Sequence, residues 1–155
     1  MEKEIRVDGL RQLEKNLIAL QKEFGGKAAA QAMRPAVVAA IKPLKPLVAE
    51  GTPVDEGTLR ASVAVKVGKP NRKMLRSNHY NNSTILVGRV GWFWSDTSLW
   101  SQALAVEFGT RSKPATHVLE QAFDTQANTM AKTFGDTLGP AIEKKAKALA
   151  KKKYS

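Results

Sequence analysis

Apolar residues recur along the first part of the chain at Leu10, Leu13, Leu17, Leu20 and Phe24, with spacings alternating between three and four. That alternation is one stripe on a helix of 3.6-residue period. It predicts a helix over 8–24, with Asp8 placed to cap its free amides and Gly25-Gly26 to end it. A second, alanine-rich helix is expected over about 27–49, with Val37, Val38, Ile41, Leu44, Leu47 and Val48 as its buried side. Pro35, Pro43 and Pro46 each remove a backbone donor and crowd the preceding turn. The helix should therefore kink, with a break near Lys42.

The period then changes. "GTPVDEGTLRAS" reads as a turn, punctuated by Pro53 and Gly57, with Asp55 able to bond backbone amides locally. Val63, Val65 and Val67 alternate with Ala64 and Lys66, the pattern of a strand with one buried face. Gly68 to Asn82 is polar, basic and rich in turn formers, so a long exposed loop or hairpin tip is expected. A second strand follows at about 83–92, giving an antiparallel pair that needs helices on one face to be stable. A short helix is expected over 99–108, closed by Gly109 in a left-handed conformation. The last helix should begin near Ala115 or Thr116, with Val118, Leu119, Ala122, Phe123, Met130 and Phe134 as its stripe. Gly139-Pro140 should kink or interrupt it.

These elements predict one α+β domain over 1–155. An antiparallel sheet of at least two to four strands is packed by two N-terminal helices and a long C-terminal helix. A basic loop at 68–82 and a lysine-rich extension at 141–155 complete it. A hydrophobic fraction of 43% in 155 residues is enough for one core. The helices already account for most apolar residues, so the free chain is expected to be monomeric or weakly associated. No run approaches the roughly 18 apolar residues of a membrane span. "MEKEIRVDGL" lacks the apolar stretch of a signal peptide, so folding in a cytoplasm is expected.

Charge adds one thing the periodicity does not show. The formal net charge is +11, and it is uneven. Residues 1–24 balance five positive against five negative side chains, whereas 66–89 carry Lys66, Lys69, Arg72, Lys73, Arg76 and Arg89 with no acid. From Ala141 onward, six lysines face Glu143 alone. Such zones favour a polyanion or an acidic protein surface.

Catalytic chemistry finds no footing. With no cysteine, disulfides and thiolate metal sites are excluded. His79 and His117 are the only histidines and have no carboxylate at ligand spacing. Asp55-Glu56 fits backbone capping in a turn better than acid–base work. The glycines do not form a phosphate-cradling loop before a helix. Neither an enzyme nor a cofactor is expected. The basic stretch has no helix-turn-helix or zinc spacing, and it lacks the aromatic strand pattern of single-strand binders. It supports sequence-blind polyanion contact at most, and an accessory nucleic-acid-binding role is the alternative reading. Trp92, Trp94 and Trp100 fall within nine residues and fit either a core plug or an interface, where Trp is enriched among energetic anchors.

Three segments in order carry a resemblance: "VDGLRQLEKNLIAL" before the alanine-rich helix, "TPVDEGTLRASV", and "LAVEFGTRSKPATHVLEQAFD". Together they resemble the tail-completion, or head–tail joining, proteins of long-tailed phages (the gp-ten-like siphophage family), over roughly Val7 to Phe134. The second is similar to that family's Pro-Val-x-x-Gly-x-Leu-Arg-x-Ser pattern and the third to its Glu-Phe-Gly-Thr signature. The sequence departs from the family in the extra prolines of the second helix, the aromatic "WFWSDTSLW" insertion, and Thr-His-Val after Ala115. The resemblance implies a structural virion protein at the neck or tail, assembled in the host cytoplasm as a homo-hexameric ring. Its partners would be the tail tube or terminator and the head-completion ring, with at most weak contact to passing DNA and none to membrane. In that frame Phe108 should pin the turn to the core, and Gly109 should let the chain reverse. Glu107 should pair with Arg111 or a neighbouring subunit. Glu107, Phe108, Gly109, Thr110, Arg111, Trp92, Trp94 and Trp100 are the candidate interface residues. Lys69, Arg72, Lys73 and Arg76 are candidates to face an acidic partner ring or the DNA lumen.

Overall fold

The computed structural model describes residues 9–54, 57–78, 80, 86–93 and 98–154. Its elements run α1 (Leu10–Phe24), α2 (Gly26–Ile41), α3 (Leu44–Gly51), α4 (Thr58–Ala61), β1 (Val63–Gly68), α5 (Arg72–Leu75), β2 (Val87–Trp92), α6 (Ser98–Phe108) and α7 (Val118–Tyr154). The fold is α+β, mostly helical, with β1 and β2 paired as a two-stranded antiparallel sheet. Contacts divide the chain into two units. Unit 1 takes Met1–Ala40, Val67–Gly88 and Asn128–Ser155; unit 2 takes Ile41–Lys66 and Arg89–Ala127. Neither unit is a continuous stretch of chain.

Unit 1 is built on small residues. Leu20 of α1, Ala32 and Ala36 of α2, and Leu138 and Ile142 of α7 form its core, with Leu13, Leu17, Phe24 and Phe134 packed against it. Alanines, rather than the valines, make the buried row of α2. Ala28, Ala32, Ala36 and Ala40 are buried at four-residue intervals, while Val37 and Val38 are half-buried. A row of methyl groups lets neighbouring helices approach closely, and the long leucines of α1 fill the space left. Gly25 closes α1 at φ 91, and the chain enters α2 at the next residue. Gly9 rather than a side chain stands at the start of α1, and Asp8 lies outside the described residues.

The proline-rich region breaks at Pro43, whereas Pro35 lies inside a continuous α2. α2 stops at Ile41 and α3 starts at Leu44, with Pro43 at its N-cap. Pro46 falls in the first turn of α3, where amides have no intrahelical partner in any case. Pro140 does not interrupt its helix, because α7 continues through it to Tyr154. The missing N–H lies on the exposed side, while Leu138 and Ile142 on either side are buried in the unit 1 core. Packing of those two residues outweighs the local loss. α7 starts two to three residues later than the sequence suggests, at Val118.

Two turns hold short helices that the sequence reading missed. α4 forms within "GTPVDEGTLRAS" and buries Leu59. α5 forms within the expected basic loop, where the Asn71 side chain accepts from the Met74 amide at 2.8 Å. Of the second strand, residues 83–85 lie outside the described residues, and β2 is described from Val87. Among the described residues no helix is long and apolar enough to cross a membrane.

Candidate functional site

The "VEFGTRSKPATHV" segment closes on itself in unit 2. Gly109 has φ 78, and an added Cβ there would meet the Ala115 amide nitrogen at 2.6 Å. Only glycine fits so tight a reversal. Beyond it the Thr110 amide donates to the Lys113 carbonyl at 2.8 Å, and the Thr110 hydroxyl accepts from the Lys113 amide at 3.1 Å. The returning chain bonds back to α6. Thr116 donates from its amide (2.9 Å) and its hydroxyl to the Val106 carbonyl, and the His117 amide donates to the Glu107 carbonyl at 3.3 Å. His117 then takes a left-handed φ of 48, with its Nδ1 3.2 Å from Glu120 Oε2.

Glu107 is the keystone of this turn, in a way the sequence did not show. It is buried, and its carboxylate accepts from the amides of Leu119 at 2.9 Å and Glu120 at 3.2 Å. Those are the second and third amides of α7, the donors an N-cap side chain ordinarily satisfies. The carboxylate also sits at the positive end of the helix dipole. Glu107 is therefore tied to a helix twelve residues on, and no ion pair joins it to Arg111 among the described residues. Arg111 and Thr110 are exposed. Phe108 does not pin the turn to the core: it is 70% exposed, on the side of α6 away from the buried Leu99 and Ala103.

The second turn, "TPVDEGTLRAS", is fixed by Thr52. Its hydroxyl, fully buried, donates to the Val48 carbonyl at 2.6 Å and accepts from Trp92 Nε1 at 3.0 Å. Arg60 donates to the Thr52 carbonyl at 2.9 Å. Leu59 joins Leu99 and Ala103 in the unit 2 core, with Trp92 and Val106 packed on it. The two turns, some fifty residues apart in sequence, thus face each other across a cleft of about 750 Å³. Pro53, Thr58 and Leu59 line one side; Gln102, Val106 and Pro114 line the other. α3 reaches α7 closely enough that a Cβ on Gly51 would lie 2.9 Å from a Val118 methyl.

The tryptophans separate. Trp92 is half-buried and hydrogen-bonded, a core role, whereas Trp100 is 53% exposed. Trp94 lies outside the described residues, as do His79, Asp55 and Glu56. Trp92, Trp100, Leu104, Phe108 and Leu119 border a second, apolar groove of about 320 Å³.

The basic residues separate too. Lys66 and Arg89 stand over the Phe93 ring, 4.3 and 5.5 Å from its centre. Lys69, Arg72, Lys73 and Arg76 are exposed in unit 1, and Arg72, Lys73 and Arg76 share one side of the α5 turn, opposite half-buried Met74 and Leu75. Along α7, Lys145 bonds Gln31, and Lys153 approaches Glu23 at 4.0 Å. Unit 1 carries 18 Lys and Arg against 7 Asp and Glu, so the whole excess of +11 lies there; unit 2 holds 7 of each. Among the described residues no group of three or more His, Asp or Glu is placed to hold a metal ion. No family model matches the chain, and no curated protein or solved structure is significantly similar to it.

Proposed function

We propose that the chain is a structural, non-enzymatic protein of a long-tailed phage virion, which completes the tail or joins it to the capsid at the neck. It acts through protein–protein contacts in a ring of copies. The observation that supports this most is the meeting of the two resemblance motifs, "TPVDEGTLRAS" and "VEFGTRSKPATHV", at one cleft in unit 2. Segments that resemble one family separately, and also fold against each other, favour a shared purpose over coincidence of turn residues. Rigid turns on helix ends suit a surface that positions neighbours.

The charged side of α5 fits an acidic neighbouring ring. Complementary potentials steer docking and fix register, and tight phosphate binding in a lumen would stall a passing genome. Reversing Arg72 and Lys73 to Glu tests this. Both side chains are exposed, so the fold should survive and the joining of tails to heads should fail. Normal joining by that variant would sink the acidic-partner reading. A second reading, sequence-blind nucleic-acid binding, draws on the concentration of charge in unit 1. It requires that affinity for DNA fall steeply with salt as counterions are released.

A further inference from the structure

Among the described residues of unit 2, α6 carries an exposed apolar ridge. Trp100, Leu104 and Phe108 follow one another at four-residue intervals, and they are 53%, 43% and 70% exposed. The buried face of the same helix is used by Leu99, Ala103 and Glu107. Surface apolar residues are ordinarily scattered, and a continuous helical row beside an apolar groove marks a contact surface. We propose that a second copy of this chain covers it, the ridge of one α6 packing against the same ridge of the other as a two-fold pair.

Three features select a second copy. The row is an i±4 ridge, and two such ridges interdigitate with each other at a crossing angle of roughly 50°. An isologous contact of this kind needs only one self-complementary surface. The charge distribution also permits it. Two chains of +11 repel, but unit 2 is formally neutral and Glu107 is the only charged residue on α6. Its carboxylate is already engaged by the α7 amides. An acidic partner would find no cation to grip on this ridge, since α6 carries no Lys or Arg.

Size sets the strength. The three side chains expose roughly 300–350 Å² per copy, under half of the roughly 800 Å² that each partner contributes to a standard interface. The pair is accordingly weak and exchangeable. It is independent of the neck reading, since it is measured on the chain alone.

Sedimentation velocity of the full chain, from micromolar to millimolar concentration, tests the proposal. The mass should rise with concentration toward twice 16.9 kDa and stop there. Association should strengthen as salt rises from about 0.1 to about 1 M, because the Debye length falls from about 10 to about 3 Å and screens the repulsion of the basic units. Leu104→Glu should weaken pairing at least tenfold while leaving the melting temperature near wild type. Phe108→Ser, at the most exposed ridge position, should do the same without adding charge. A chain that stays monomeric at millimolar concentration in high salt would overturn the proposal. So would growth past two copies, pairing that weakens with salt, or folded ridge variants that pair as wild type.

Discussion

Replacing Glu107 with Ala should destabilise the protein well beyond the loss of a surface carboxylate. Two amides in the first turn of α7 donate to this buried side chain at 2.9 and 3.2 Å. A lost N-cap costs about 0.5–2 kcal/mol, and hydrogen bonds to a charged group contribute about 1.5–3 kcal/mol. These terms overlap, because they describe the same bonds. Water can reach the start of α7 in the variant and recover part of the loss. The net expectation is about 2–4 kcal/mol for Glu107→Ala, and about 1–2 kcal/mol for Glu107→Gln, which keeps one acceptor oxygen. For a chain of this size, each kcal/mol moves the melting temperature by about 2–4 °C, so Glu107→Ala should melt about 4–16 °C lower. Glu143→Ala, on the exposed side of α7, is the control and should stay within about 0.5 kcal/mol of wild type. Thermal unfolding followed by circular dichroism measures the shift. Amide hydrogen exchange adds a local readout, since protection at Leu119 and Glu120 should fall selectively. A Glu107→Ala protein melting within about 2 °C of wild type, with those amides still protected, would refute the assignment of Glu107 as the cap of α7.

Gly109→Ala should cost about 2–4 kcal/mol, because the residue is left-handed and its new methyl would press on the backbone at Ala115; a melt unchanged from wild type would contradict the tight reversal. Trp92→Phe should cost about 1 kcal/mol or more, through loss of the hydrogen bond to the Thr52 hydroxyl, and Thr52→Val added to it should cost less than the sum of the two single changes. An additive double-mutant cycle in denaturant would show that the bond does not couple them. Pro140→Ala should stabilise by about 1–2 kcal/mol, since it restores a donor within a continuous helix at an exposed position. A lower urea midpoint for that variant would argue that the helix depends on the proline.

What could be read ahead of the structure was what depends on near neighbours. The leucine stripe placed α1, the valine alternation placed β1, and Pro43 placed the break before α3, because period and missing donors act within a few residues. Glu107 was drawn out as a candidate, but within the chain its carboxylate is held by backbone amides of α7 and not by Arg111. Those amides lie twelve and thirteen residues on, and they come within reach only after Gly109 reverses the chain. Phe108 misled for a related reason. An aromatic residue beside a turn suggests a plug, but the side of α6 it occupies follows from Leu99 and Ala103, which take the core. The alanine row of α2 was obscured by the larger valines beside it, since close helix packing rewards small residues as much as large ones. α5 was too short to have a period, and only Asn71 three residues before Met74 hinted at its cap. Pro140 suggested a kink or an interruption because local propensity was weighed without the burial of Leu138 and Ile142.

The central claim is that this chain builds a joint between virion parts. Electron microscopy of the protein mixed with assembled tail tubes of a long-tailed phage tests that most directly. A ring of this protein seated on one end of the tube, lost when Arg72 and Lys73 are both changed to Glu, is the predicted image. Bare tube ends, with the protein bound instead to added DNA in a manner abolished by salt, would contradict it.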